Sequence, residues 1–348
     1  MRAMRTRWVR PAAAIAVASA ALGVVPAAGD GPGPAEVVVY STLERELSGP
    51  VFDAYPPKIG GVVRPEFDPK GRKTVGLTDR IIAESGSPRC DLFWNSEVLC
   101  TVRLRQKGLL APFRPPGAGR IPDRYQARDG TWYGFAARAR VLLVNTELVR
   151  EADRPRSVRD LADPRWKGKA GLSLPLVGTG ATHAACLFAA WGDDEAKAFY
   201  RAVKANEARV YPGNGGVAEA VGAGKIAFGL TDTDDAVKEV AAGRPVAIVY
   251  PDRDPGGLGT LFVPNTIALI AGSPHAREAA ALADRLLSAD VEADLVNGPA
   301  AMIPLIGGDQ ARARVETPDT VPPMRVDYEE AARAWDRAAA FLAGEFAR

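Results

Sequence analysis

Residues 224–236 read GKIAFGLTDTDDA. The apolar run Ile226 to Leu230 stops abruptly, and the polar residues that follow include three carboxylates, Asp232, Asp234 and Asp235. An apolar run of this length, bounded by turn and polar residues, reads as a buried strand. Thr and Asp directly after it are helix N-cap residues, so the stretch reads as strand, turn and helix. The same joint recurs upstream. Val37–Tyr40 runs into Ser41-Thr42, Asp91–Trp94 into Asn95-Ser96-Glu97, and Leu172–Pro175 lies just before Val177-Gly-Thr-Gly-Ala-Thr182.

Working outward, short β-type runs fall at 37–40, 61–65, 92–94, 141–145, 171–174, 226–230, 246–250 and 266–270. Helical patterns separate them at 75–84, 182–191, 194–205, 217–223 and 274–287, and residues 325–348 form a last amphipathic helix. This alternation predicts an α/β fold of βαβ units with mostly parallel sheets. In open α/β sheets ligands bind outside the carboxyl ends of the strands. Helix N-termini there offer unpaired N–H groups and partial positive charge to an anion. One such joint is a routine cap; four in one chain point to a shared cleft.

Composition narrows the function. The chain has 348 residues, 47% hydrophobic and 25% charged, with a net charge of +2, an ordinary globular balance with room for about two domains. Lys and Arg are interspersed with acids, and no basic stripe marks a nucleic-acid face. Met1–Arg10 holds four arginines, Pro11–Val25 is a short apolar run, and Ala27, Ala28 and Gly29 follow. This is the pattern of a secretory signal peptide over residues 1–29, implying a periplasmic or otherwise secreted mature protein. Cys90, Cys100 and Cys186 have no zinc-site spacing and read as small buried apolar residues.

The two histidines, His183 and His275, fall in helical stretches, and no GxSxG, HExxH or P-loop motif is present. An enzyme is therefore the minor reading, with no catalytic cofactor expected. Arg138 and Arg140 lie in a strand-like stretch, where alternate residues share a face. Either they clamp an anion together, or they are a solvated surface pair. The Gly178-Thr179-Gly180 turn either holds a phosphate or is an ordinary glycine turn before a helix.

In order along the chain, Trp132-Tyr-Gly-Phe, Arg138-Ala-Arg-Val-Leu-Leu-Val-Asn-Thr146, Leu161-Ala-Asp-Pro-Arg-Trp-Lys-Gly168 and Pro212-Gly-Asn-Gly215 resemble the extracellular solute-binding proteins of ABC importers. The similarity is to their ferric-iron-binding branch and runs from about Val37 to Leu305. It implies a two-lobed periplasmic-binding-protein fold of type II, with ligand held between the lobes and hinge closure on binding. Lobe one is expected at 36–137 plus 266–310 and lobe two at 138–265, with the helix at 325–348 packed on one lobe. The expected partners are a membrane permease and a small ligand or metal ion with an anion, bound by a monomer.

For the site, the resemblance implies ligand contacts from Ser41, Thr42, Trp94, Asn95, Ser96, Arg138, Arg140, Gly178, Thr179, Gly180, Ala181, Asn214, Thr231, Asp232 and Thr233. Iron-binding members carry a tyrosine pair after the strand that here ends in Leu230, and this chain has Asp234 and Asp235 there. Those two, with Glu44 and Glu97, are the expected metal ligands. The reading is iron(III) with a synergistic anion as transported ligand. The alternative is a small phosphorylated or carboxylated organic solute whose hydroxyl or amine meets Asp232 and Asp234. Removing Arg138 is expected to weaken binding by about tenfold or more with little change in apo stability.

Overall fold

The computed structural model describes residues 36–54, 62–68 and 75–347. The expected signal peptide and the first residue of the strand expected at 61–65 lie outside them. In chain order the strands are β1 (Glu36–Ser41), β2 (Val62–Phe67), β3 (Leu92–Asn95), β4 (Leu110–Ala111), β5 (Trp132–Asn145), β6 (Ala170–Ser173), β7 (Arg209–Tyr211), β8 (Phe228–Asp232), β9 (Val246–Val249) and β10 (Phe262–Ile270). The helices are α1 (Arg45–Ala54), α2 (Val75–Ala83), α3 (Leu99–Gln106), α4 (Gly178–Trp191), α5 (Asp193–Ala205), α6 (Asn214–Gly222), α7 (Thr233–Ala241), α8 (Ala276–Leu286), α9 (Ala289–Asn297) and α10 (Tyr328–Phe346). Among the described residues, no helix is long and apolar enough to cross a membrane.

Hydrogen bonding joins the strands in the order β2-β1-β3-β10-β5-β8-β6-β7, with β4 on β10 and β9 on β5. The strand β5 is the shared element. Its first half, from Trp132 to Ala139, pairs with β10, and its second half, from Arg140 to Asn145, pairs with β8 and β9. All 14 of its residues are buried, as expected of a strand covered on both faces. Pairings β1–β2, β1–β3, β6–β7 and β6–β8 are parallel. Every pairing of β5 and β10 is antiparallel, so the sheet is mixed rather than mostly parallel. The physical reason is the route of the chain: β5 leads out of one group of strands and β10 leads back into it, so the two run in opposite directions.

The strand β5 bends where its pairing with β10 is interrupted. Ala136 has φ 42°, a left-handed conformation that costs a residue with a Cβ, and the β5–β10 register shifts between Val263 and Asn265. The buried Glu292 carboxylate of α9 secures the bend. It accepts from Ala136 N at 2.9 Å and from the backbone N–H groups of Leu305, Ile306 and Gly307 at 2.8–2.9 Å.

One feature departs from the sequence reading. Gly49 and Pro50 hide α1, which nevertheless forms and buries Val51 and Phe52. The C-terminal helix contacts two sets of helices. Arg103 and Arg105 of α3 pair with Asp336 and Glu329 of α10, while Asp193 and Lys204 of α5 pair with Arg337 and Glu345. Its apolar face packs on α4, with Phe341 against Phe188.

Candidate functional site

The antiparallel register of β5 and β8 places Arg140 directly across from Asp232. Arg138, two residues away on the same face of β5, then meets Asp234 in the first turn of α7. An Arg-x-Arg strand thus lies against an Asp-x-Asp joint. This explains why an apolar strand runs straight into carboxylates: two of the three have guanidinium partners waiting on the neighbouring strand.

The two pairs differ in kind. Arg140 and Asp232 are 1% and 2% exposed. Arg140 Nη1 donates to Asp232 Oδ1 at 2.6 Å and to Asn214 Oδ1 at 2.9 Å, and Thr179 Oγ1 and Asn214 Nδ2 donate to Asp232 Oδ2 at 2.6 and 2.8 Å. Burial pushes the Asp232 carboxyl up, but Arg140, Arg138 and the Thr179 hydroxyl outweigh it and hold the group below the usual carboxylate range. This is a saturated structural network that ties β5, α4, α6 and β8 together.

Arg138 and Asp234 form the looser pair. Arg138 Nη1 approaches Asp234 Oδ2 at 3.3 Å while Nη2 donates to the Ser96 carbonyl at 2.7 Å. Arg138 Nε and Asp234 Oδ1 are buried without a partner, and so is Ser173 Oγ. All three residues line one cleft with Thr42, Glu44, Ser96, Val177, Gly178, Thr179, Pro212, Gly213, Asn214, Asp232, Asp235 and Lys238. Burial, then repulsion by Asp235, raises the Asp234 carboxyl to about 7, against the pull of Arg138. Asp235 pairs with Lys238 at 3.1 Å.

Three helices begin at this cleft. The N-caps of α4, α6 and α7 are Val177, Gly213 and Asp232, and none makes a side-chain capping bond. The start of a helix presents backbone N–H groups and partial positive charge to an acceptor. Gly180 lets α4 approach this closely, because a Cβ there would stand 2.9 Å from Ser173 Oγ and 3.1 Å from Leu174 O. The space left for solute between these walls is about 60 Å³, room for about two water molecules or one small anionic head group.

The expected site residues separate into two shells. Thr42, Glu44, Ser96, Arg138, Gly178, Thr179, Asn214, Asp232, Asp234 and Asp235 line the cleft. Ser41, Trp94, Asn95, Glu97, Arg140, Gly180, Ala181, Thr231 and Thr233 stand behind it. Trp94 is a core residue between Phe52 and Phe135, and Asn95 is fully buried and bonded to Thr42 and Thr101. Arg140, expected to clamp an anion, is instead committed to Asp232.

Glu97, expected to hold metal, is committed as well. Its carboxylate accepts from Leu99 N, Cys100 N and Thr182 Oγ1 at 2.7, 2.8 and 2.6 Å, which caps α3 and links it to α4. Among the described residues no group of three or more His, Cys, Asp and Glu side chains is placed to hold a metal ion, and no tyrosine lines the cleft. His183 is buried beside Arg140, and burial first, then that guanidinium, lowers it to about 3. It is a neutral ring, unsuited to proton transfer near neutrality. The three cysteines are free and buried.

Sequence reasoning missed Ser173, Val177, Pro212, Gly213 and Lys238. Lys238 lies one helical turn after Asp234, a spacing that could have placed it on the cleft face of α7.

The chain is 28% identical over 234 residues to iron uptake protein A2 of Synechocystis, a match covering 64% of this chain and 67% of that protein. Iron-bound HitA from Pseudomonas aeruginosa superposes with a TM-score of 0.79 at 24% identity, over 89% of this chain and 99% of that one. The periplasmic binding protein AfuA from Actinobacillus pleuropneumoniae, solved with exogenous fructose-6-phosphate bound, superposes with a TM-score of 0.73 at 18% identity, over 90% and 98%. These likenesses establish the two-lobed periplasmic-binding-protein fold, as the sequence reading expected. The family model described as bacterial extracellular solute-binding protein matches residues 91–333, and the chain belongs to that family, as a solute-binding component of an ABC importer.

Proposed function

We propose that this protein delivers a small phosphorylated or carboxylated organic solute to its membrane permease. The observation that carries the reading is the convergence of Arg138 with the N-termini of α4, α6 and α7 on one small cleft. Each element favours an oxyanion, and Arg138, at 6% exposed, acts where water screens its charge little. The likeness to AfuA, whose structure holds a phosphorylated sugar, supports the same class. Lobes at 36–137 plus 266–310 and at 138–265, hinged where the β5–β10 pairing is interrupted, would open to admit a solute larger than the present space and close over its anionic end.

Iron(III) with a synergistic anion is the second reading, favoured by iron uptake protein A2 and by iron-bound HitA. Against it stands the donor set. Hard ferric iron takes several anionic oxygen ligands at once, whereas Asp232 is committed to Arg140, Asp235 pairs with Lys238, and Glu97 is spent on α3. A thermal-shift panel separates the two. Small phosphate monoesters and carboxylates at about 100 times their Kd should stabilise the protein by about 2.7 kcal/mol, a rise of several degrees in Tm, and ferric citrate should add nothing beyond citrate. Stabilisation by ferric salts alone would reverse the order of the readings.

A further inference from the structure

We propose that Asp234 selects for a solute that carries an ammonium group beside its oxyanion, so that the ligand is a zwitterion or an amino-substituted phosphate ester. The inference rests on reading the cleft as an anion site and adds a requirement on the other end of the ligand.

Charge complementarity carries it. Glu44, Asp232, Asp234 and Asp235 present carboxylates to the cleft, against Arg138 and Lys238 in its lining and Arg140 behind Asp232. Two of these cations are already engaged, Arg140 by Asp232 and Lys238 by Asp235. The third, Arg138, is the one an entering oxyanion would take, since its Nε is buried and unpartnered. Asp234 then has to share its ion-pair partner Arg138 with the ligand. Its Oδ1 has no partner even before that happens, and the residue is 4% exposed.

Where Asp234 is ionised, above its raised carboxyl, a buried oxygen of it facing an added negative charge is strongly unfavourable. A hydroxyl on the ligand would satisfy the hydrogen bond and leave the charge. An ammonium satisfies both. Burial first, and then Asp235, Asp232 and Glu44 against the pull of Arg138, raise the Asp234 carboxyl, so neighbouring negative charge adds to the cost of its burial. Asp232 is not a candidate for this role, because both of its oxygens are filled by Arg140, Thr179 and Asn214.

Calorimetric titration with two matched pairs tests this, at about pH 8, above the raised carboxyl. The pairs are 2-aminoethyl phosphate with ethyl phosphate, and β-alanine with propanoate. The pair that binds identifies the oxyanion. In that pair the amino-bearing member should bind at least about fivefold more tightly. Asp234→Asn, close in shape to the neutral acid, should reduce the ratio of affinities between the two members to about twofold or less. A wild-type preference under about fivefold in both pairs overturns the inference and leaves the anion site standing. A preference that survives in Asp234→Asn overturns the assignment to Asp234. If no member of either pair binds, the anion reading and this inference fall together. The wild-type comparison decides the matter even if the variant does not fold.

Discussion

Asp232→Ala should destabilise the folded protein by about 3–5 kcal/mol, the cost of breaking a buried ion pair from one side. The substitution leaves the Arg140 guanidinium, 1% exposed, with no carboxylate, and takes an acceptor from both Thr179 and Asn214. Arg140 cannot relieve the strain by losing its proton, because guanidinium stays charged at any pH a protein survives. Urea unfolding should therefore show a lower midpoint with an unchanged slope. The exposed pair Arg150–Asp153, 86% and 47% exposed, supplies the contrast: its removal should cost about 1 kcal/mol or less. A loss from Asp232→Ala no larger than that would mean the network is not the structural tie described.

Arg138→Ala should lower affinity for the oxyanion solute by about tenfold or more, the loss of at least one charge-assisted hydrogen bond. Burial changes the second half of the sequence expectation, that apo stability would be untouched. Arg138 is 6% exposed and holds both the Ser96 carbonyl and Asp234, so removing it should cost about 1–3 kcal/mol of stability. The cost stays below that of Asp232→Ala for a reason visible in the site. Asp234, with its carboxyl raised to about 7, can take up a proton when its partner is removed, whereas Arg140 cannot give one up. Calorimetry with the best stabilising solute from the thermal-shift panel, alongside urea unfolding, measures the two effects separately. Unchanged affinity would remove Arg138 from the binding site.

The fold was legible where the pattern is local. The strand-to-helix joints at Ser41, Asn95, Gly178 and Asp232 follow from apolar runs that end in small polar residues, and the structure has a strand and a following helix at each. What could not be read locally was pairing. That β5 serves two groups of strands depends on which neighbours it meets, and nothing in residues 132–145 encodes that alone. The site divides along the same line. The sequence places Arg138 and Arg140 on one face, but only the register with β8 decides that Arg140 is consumed by Asp232 while Arg138 keeps a free Nε. Glu97 was misread for a related reason. A carboxylate at a strand end can cap a helix or hold a ligand, and the N–H groups of Leu99 and Cys100 claim it first. Pro50 concealed α1 because a helix interior normally excludes proline, yet burial of Val51, and of Phe52 against Trp94, outweighs that cost.

The most direct test of the account is to recover the protein from its native host without chelators or phosphate buffers, then run native mass spectrometry and metal analysis on the same sample. The account predicts a small organic adduct bearing a phosphate or carboxylate, released on denaturation, with iron far below one ion per chain. Stoichiometric iron with no organic adduct beyond a simple anion would contradict it and would make the carboxylates of the cleft metal ligands after all.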